Sequence, residues 1–193
     1  MPTSILGPYT RVILTAAVVC ITLIFYFTLM SEVYVWIFPF FEWMETTWFG
    51  VIGKTWGAAF AFVQTIHLLS LALLGGTVLA AEGRVLGFLL TDVSAKVVVD
   101  RCHTLLVWAL VILISTGVFM ACGVALKVYY LPVFWYKMLA LGVGILFHFY
   151  VRKPLFRFDL ENINPMIVKM TALSSILVWF MVAATGRWIG FSG

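Results

Sequence analysis

The stretch QTIHLLSLALLGGTVLAAEGRVLG, residues 64–87, decides the fold class of this chain. From Gln64 to Ala81 it contains no Asp, Glu, Lys or Arg, and its one ionisable side chain is His67. A hydrocarbon core about 30 Å thick is crossed by roughly 20 apolar residues of α-helix, at about 1.5 Å per residue. The stretch therefore predicts a membrane-spanning helix with a histidine in its interior.

The composition of the whole chain indicates a membrane protein. Of its 193 residues, 64% are apolar and 10% are charged, whereas a soluble domain has about 25% charged residues. The net charge of +4 comes from basic residues scattered over short loops, so we expect contact with the lipid bilayer and none with nucleic acid. The three cysteines form no C-x-x-C motif, which leaves covalent c-type haem and a zinc knuckle unsupported.

Five segments are long and apolar enough to cross a bilayer, and we predict an all-α membrane protein in which they form one bundle. The chain is then a single integral membrane domain, residues 1–193, with spans at about 12–30, 56–81, 102–126, 129–151 and 170–187.

Lysine and arginine residues predict the orientation, because cytoplasmic loops are enriched in them. One side of a five-span bundle collects eight of these residues: Arg11, Arg84, Lys96, Arg101, Arg152, Lys153, Arg157 and Lys169. The other side collects Lys54, Lys127 and Arg187. The N-terminus is therefore expected in the cytoplasm and the C-terminus outside.

Two connections between spans have distinctive patterns. EVYVWIFPFFEWMETTWFG, residues 32–50, is rich in aromatic residues, which predicts a segment lying in the outer membrane interface after the first helix. Pro39 within it argues against a second uninterrupted membrane span there. GRVLGFLLTDVSAKVVVDR, residues 83–101, predicts a short amphipathic helix on the cytoplasmic surface.

All three histidines of the chain fall within spans, where a titratable group is costly and usually faces the bundle interior. His103 is two residues from Arg101, and His148 is four from Arg152. Both are therefore expected about one turn inside the cytoplasmic boundary, at the same depth.

His67 and Lys137 are expected at a second, outer level. Each is fifteen residues from the nearest cytoplasmic charge, Glu82 and Arg152 respectively, which corresponds to roughly 22 Å of helix. Lys137 either faces a ligand or extends to the outer interface beside Trp135.

Helical spacing adds two expectations. Lys137, Gly144 and His148 share one face of a helix, where the glycine either leaves room for a flat macrocycle or lets two helices approach closely. Gln64 and Ser70 lie on the same face as His67, so that either can hydrogen-bond one ring nitrogen and leave the other for a metal or substrate.

Histidines from two facing helices at one depth suit a b-type haem, whose iron takes two axial imidazoles. His103 and His148 are the predicted pair, and His67 is a further metal ligand or a proton site. Lys137 and Arg187 complete the predicted cofactor-binding residues as cations for propionates, a quinone or a carboxylate. Copper is the alternative metal, and histidine as interhelical hydrogen-bonding residue is the alternative without a cofactor.

The segments HLLSLALLGGTVLAAEGRVLG, FWYKMLAL and ATGRWIGF resemble an uncharacterised family of bacterial inner-membrane proteins. Its pattern is His-Leu-Leu, a glycine, then acidic-x-Arg-x-Leu-Gly, with Phe-x-x-Lys later and Gly-Arg-Trp-Ile near the end. The family is more distantly similar to copper-resistance D-like proteins and to membrane-bound, haem-containing protoporphyrinogen oxidases. The resemblance implies roles for seven positions: His67, Glu82, Arg84, Gly87, Lys137, Arg187 and Trp188. His103 does not belong to the pattern.

These patterns together predict a cytochrome b-like subunit of the bacterial inner membrane, which passes electrons between a quinone and a redox partner within a larger complex. An electron-transfer or accessory role is favoured over a self-contained enzyme. The alternatives are a cofactor-free accessory subunit of a membrane enzyme and a membrane protein that handles copper or porphyrin.

Overall fold

The computed structural model describes residues 10–156 and 163–192, and within them all regular structure is helical. The helices are α1 (Thr10–Thr46), α2 (Trp48–Thr55), α3 (Gly57–Leu86), α4 (Ala95–Gly123), α5 (Ala125–Tyr129), α6 (Pro132–Leu146), α7 (Lys153–Phe156) and α8 (Pro165–Ile189). A π-helical turn, Phe147–Arg152, joins α6 to α7.

Four of the described helices are long and apolar enough to cross a membrane, which makes the chain a multi-pass membrane protein. They are Gly57–Leu86, Ala95–Gly123, Pro132–Phe156 and Pro165–Ile189. The fifth predicted span, 12–30, lies within α1, where most side chains are outside the described residues.

The four spans run alternately up and down, so the molecule has two ends. We call the end with residues 87–94 and α7 the loop end, and the end with residues 34–56 and 124–135 the aromatic end. α3 packs along α4 and against α8, and α8 also packs along α6. Their shared core is a cluster of buried side chains: Leu74, Val78, Leu106, Ala109, Leu110, Trp179 and Val182.

The aromatic segment after the first predicted span is helical and continuous with it, because α1 runs from Thr10 to Thr46 through Pro39. Tertiary contacts hold this part helical. Tyr34 and Tyr129 stack with ring centroids 4.1 Å apart, and each hydroxyl donates to the other residue's backbone carbonyl, at 2.8 and 2.6 Å. Phe41 packs into the same aromatic cluster. Proline only removes one hydrogen bond and crowds one turn, and these contacts offset that cost.

The predicted amphipathic helix at residues 83–101 is absent. α3 ends in a left-handed cap at Gly87, with φ 93°, and the amides of Gly87 and Phe88 both donate to the Gly83 carbonyl. A loop follows, and α4 begins at Ala95. Glycine enters this cap without strain, so the helix ends there although the sequence on both sides is apolar.

The spans extend further toward the loop end than the sequence predicted. The third described span continues through the π-helical turn to Phe156, and α3 reaches Leu86. Glu82 and Arg152, which served as markers of the membrane boundary, therefore both lie inside helices.

Candidate functional site

His103 of α4 and His148 of the π-helical turn meet inside the bundle, near the loop end. His103 Nδ1 and His148 Nε2 are 3.0 Å apart in a hydrogen bond, and the rings are nearly parallel, with centroids 5.2 Å apart and planes 13° from each other. His148 has no exposed surface. The structure thus brings together the two residues that the sequence placed at one depth.

An ion pair between Glu82 and Arg152 lies at the same end, and the sequence did not predict it. Arg152 Nε donates to Glu82 Oε1, and the exposed fractions of the two side chains are 3% and 0%. Arg152 and His148 share the π-helical turn. Turns of this kind occur often at functional sites, where they change the direction of side chains within a helix.

α8 completes this group with Ser175 and Trp179, which are one helical turn apart. Ser175 lies beside the Glu82 carboxylate, and the ring of Trp179 is 6.5 Å from that of His148. We call the six residues the loop-end cluster: Glu82, His103, His148, Arg152, Ser175 and Trp179.

Four buried atoms of the loop-end cluster have no hydrogen-bond partner: Glu82 Oε2, His148 Nδ1, Ser175 Oγ and Trp179 Nε1. Buried polar groups are nearly always satisfied by protein or by ordered water. Ser175 Oγ and Glu82 Oε2 lie on side chains close enough for the hydroxyl to donate to the carboxylate. The other two unpaired atoms, His148 Nδ1 and Trp179 Nε1, therefore indicate a place for water or a small polar ligand.

The geometry of the histidine pair does not fit a haem between the rings. A metal–imidazole bond is about 2 Å long, so two ligands on opposite sides of a metal lie about 4 Å apart, whereas the two nitrogens are 3.0 Å apart. The predicted room for a macrocycle is also filled, because a Cβ on Gly144 would lie 3.3 Å from Val178 Cγ1 and 3.5 Å from the ring of Trp179. Gly144 serves close packing of α6 on α8, the other role that the sequence allowed.

His67 lies nearer the aromatic end and is held by the facing helix α4. Its Nδ1 is 2.9 Å from Thr116 Oγ1, so the partner is not Gln64, which is exposed, or Ser70, whose hydroxyl donates to the Ile66 carbonyl. The Thr116 hydroxyl donates its one proton to a backbone carbonyl of its own helix, 2.7 Å away at Ile112. It therefore accepts from His67 Nδ1, and the neutral ring carries its lone pair on Nε2.

Lys137 packs against Gly186 of α8. A Cβ on Gly186 of α8 would lie 3.4 Å from Lys137 Cε and 3.5 Å from Nζ, and the ammonium is close enough to His67 to interact with it electrostatically. Arg187 is exposed, and its guanidinium lies 4.4 Å from the centroid of the Phe191 ring. The structure thus places Lys137 within electrostatic range of His67 and leaves Arg187 at the surface.

An apolar layer separates this pair from the loop-end cluster. On three helices, buried apolar residues lie between the two levels: Leu74 and Val78 on α3, Leu106 and Leu110 on α4, and Val182 on α8. The buried hydroxyl of Thr77 in this layer donates to the Leu74 carbonyl of its own helix. No group of three or more His, Cys, Asp or Glu side chains that could hold a metal ion occurs among the residues that the structure describes.

The motif residues that suggested a family resemblance now have structural roles. Glu82 forms the buried ion pair, Arg84 Nε donates to the Val93 carbonyl at 2.6 Å and braces the loop, and Gly87 caps α3. Trp188 is 63% exposed at the aromatic end.

Comparison with known proteins gives one match. Residues 40–192 match the model of a family of unknown function, DUF6644. No curated protein and no solved structure matches the chain. The predicted likeness to copper-resistance D-like proteins and to protoporphyrinogen oxidases has no support in these comparisons.

Proposed function

Because this chain belongs to DUF6644, a family whose function is unknown, we propose its function from its own buried polar groups. The protein is a membrane subunit whose loop-end cluster takes up and releases protons inside the bilayer, in the service of a redox complex. One observation carries this proposal: a hydrogen-bonded histidine pair lies beside a fully buried acid–base pair. Ionisable groups inside a membrane are costly, and they most often mark relays or transport paths.

The histidine pair has the chemistry of a proton relay. A neutral imidazole has one N–H donor and one acceptor nitrogen, so a proton accepted on one nitrogen can leave from the other. His103 and His148 already share one hydrogen bond. The unpaired His148 Nδ1 and Glu82 Oε2 supply further positions at which a proton or a bridging water can be held.

The charges around the pair are mixed. Arg152 is neutralised by Glu82, and Lys153 lies over the ring of Phe149, with Nζ 5.5 Å from its centroid. A proton on the histidine pair is therefore repelled only weakly by Arg152, whose charge Glu82 neutralises, and by the more distant Lys153. Two unpaired cations in these positions would repel it more strongly.

The excess of Lys and Arg at the loop end supports a cytoplasmic position for this end, in a bacterial inner membrane, with α1 as the fifth span. Protons would then come from the cytoplasm. The apolar layer above the cluster separates it from the outer half of the bundle, so transfer ends within the membrane. A quinone and other membrane subunits are the partners that this arrangement would serve.

The test uses the small number of histidines in the chain, which is three. Protein labelled with ¹⁵N in its histidine rings, in lipid nanodiscs, gives three pairs of ring signals, assigned with H67Q, H103Q and H148Q. We expect the His103 and His148 signals to change together as the pH is varied, and to change differently in E82Q. A single tautomer of both rings at every pH at which the protein is folded would overturn the proposal. His67 is the internal control, because the apolar layer separates it from Glu82.

A b-type haem held by His103 and His148 is the alternative that the sequence suggested, although the two rings are in direct hydrogen-bond contact. It requires the rings to move apart and the core around Gly144 to open. A reduced-minus-oxidised visible spectrum of the purified protein tests for haem, since low-spin haem gives a sharp band in the reduced state. H103A and H148A would each abolish that band, and H67A would retain it.

The same purified protein tests the other two alternatives. A colourless protein with bound copper would support the copper alternative. A protein with neither haem nor copper that purifies with partner subunits would support an accessory role.

A further inference from the structure

A groove opens at the aromatic end, between α2, the first turns of α3 and the junction of α4 with α5. Its volume is about 450 Å³, and it is open to the exterior of the bundle. Its wall consists of glycine and apolar residues except for three charged side chains, Glu45, Lys54 and Lys127. The groove therefore combines an apolar interior with a charged rim.

Two glycines give the groove a floor of backbone atoms. A Cβ on Gly53 of α2 would lie 2.8 Å from Gly123 Cα, and a Cβ on Gly123 would lie 3.1 Å from Gly53 Cα and 3.4 Å from Phe60 Cε2. α2 and the end of α4 thus touch through their backbones, an approach that only glycine allows. Because no side-chain rotation can alter this contact, the groove is a fixed feature of the packing.

The groove lies at the depth of lipid headgroups. Gly57 and Gly123 in its wall are the end residues of two membrane-spanning helices. Trp48 begins α2 and Trp56 follows it, and these side chains are 77% and 68% exposed. Exposed tryptophans beside the ends of spans are typical of the membrane–water interface. The groove therefore faces headgroups and the first part of the acyl chains.

One positive charge of the rim lacks a counter-charge. Lys54 Nζ donates to Glu45 Oε2, and the Leu126 amide donates to Glu45 Oε1 at 3.0 Å, so the carboxylate is neutralised. Lys127 is exposed, and within residues 10–156 and 163–192 no hydrogen bond or ion pair engages it. Two lysines against one glutamate leave the rim with a net charge of +1, which favours an anionic occupant.

We propose that this groove binds an anionic phospholipid. Lys127 and the remaining N–H donors of Lys54 hold the phosphate by charge-assisted hydrogen bonds. One acyl chain passes Phe60 and Ala61 onto the lipid-facing surface of α3, where Leu68 lies on the face of Ala61 and is 53% exposed. The site is at the opposite end from the loop-end cluster and does not depend on the proton relay.

Native mass spectrometry of the detergent-solubilised protein, which counts bound lipids, tests the proposal. The protein is titrated with phosphatidylglycerol and separately with phosphatidylcholine of the same acyl chains, so that only the headgroup differs. We expect one phosphatidylglycerol to be retained in preference to phosphatidylcholine. Equal retention of the two lipids would overturn the proposal. Displacement of phosphatidylglycerol by equimolar glycerol 3-phosphate, which lacks acyl chains, would also overturn it and would identify a soluble phosphate as the ligand.

Two variants change the charge of the rim in opposite directions. K127Q removes the uncompensated cation and should reduce the preference for phosphatidylglycerol roughly fivefold, the effect of one basic residue at a membrane surface. E45Q releases Lys54 and should increase the preference by a similar factor, a gain that damage to the fold would not produce.

R187Q is the matched control, because Arg187 is an exposed cation at the same end but outside the groove. It should leave the preference for phosphatidylglycerol unchanged. An unchanged preference in K127Q, or equal losses in K127Q and R187Q, would show that the groove does not hold the lipid.

Discussion

Glu82 and Arg152 are 70 positions apart in the chain and form an ion pair that is almost completely removed from solvent. The pair ties α3 to the π-helical turn that also carries His148. A buried ion pair adds little net stability compared with apolar residues, but removal of one partner leaves a charge alone in the interior.

This asymmetry gives the first prediction. E82Q and R152Q should each lower the stability of the protein by about 3–5 kcal/mol, the usual cost of breaking a buried pair. The double variant E82Q/R152Q should recover a large part of that loss, because no isolated charge remains. Thermal unfolding followed by circular dichroism measures all four proteins. Equal losses that simply add in the double variant would show that the two side chains do not act as a pair.

The second prediction compares two glycines of α6. A Cβ on Gly144 would approach Val178 and Trp179 at 3.3 and 3.5 Å, whereas a Cβ on Gly142 would meet nothing within 4 Å. G144A should therefore destabilise the protein by about 1–3 kcal/mol, as overpacking does. G142A should be neutral or slightly stabilising, because alanine favours a helix by about 1 kcal/mol over glycine. Similar unfolding temperatures for the two variants would contradict the close packing of α6 on α8.

The third prediction concerns the hydrogen bond between His67 and Thr116. T116V keeps the shape of the side chain and removes the acceptor for Nδ1–H, so it should cost about 0.6 kcal/mol, the average for such bonds between membrane helices. It should also release the ring, which would be seen as a changed tautomer in the ¹⁵N signals of His67. T104V is the control, since Thr104 is exposed on the same helix. A His67 spectrum that is the same in T116V and wild type would exclude this bond.

The fourth prediction is a pH dependence at the aromatic end. Partial burial acts to raise the pKa of the Glu45 carboxyl, but hydrogen bonds from Lys54 and from the Leu126 amide outweigh it, and the pKa lies below its ordinary value. A carboxyl whose pKa is lower in the folded state stabilises the fold above its unfolded pKa, near 4.5, and loses that effect as the pH falls through the lowered value.

E45Q should therefore be less stable than wild type at pH values well above the ordinary carboxyl range, and the difference should shrink in acid. Unfolding temperatures of both proteins across the acid range measure this. E42Q is the control, because Glu42 is exposed three residues earlier. A difference between E45Q and wild type that grows in acid would have the wrong sign.

Local chemistry in the sequence was sufficient to identify the membrane class and the helical fold, and it predicted the relative levels of the histidines. Apolar stretches of about 20 residues specify spans by themselves, because an unpaired backbone group cannot be left in lipid. Depth follows from the constant rise of a helix. His103 and His148 could therefore be placed at one level, and His67 with Lys137 at another, before any contact was known.

The partners of those residues were decided only by tertiary structure. Glu82 and Arg152 carry the charges that normally end a span, so neither suggested a buried pair until α3 and the π-helical turn came together. Thr116 has no distinctive pattern in the sequence, and Gly186 was noted only as part of the Gly-Arg-Trp-Ile motif. They contact His67 and Lys137 because of how α4 and α8 pack. The helix through Pro39 likewise depends on its contact with Tyr129. Helical periodicity indicates which face of a helix is polar. Which residue of a neighbouring helix that face contacts depends on the rotation of the two helices about their axes, and side-chain packing across the whole bundle determines this rotation.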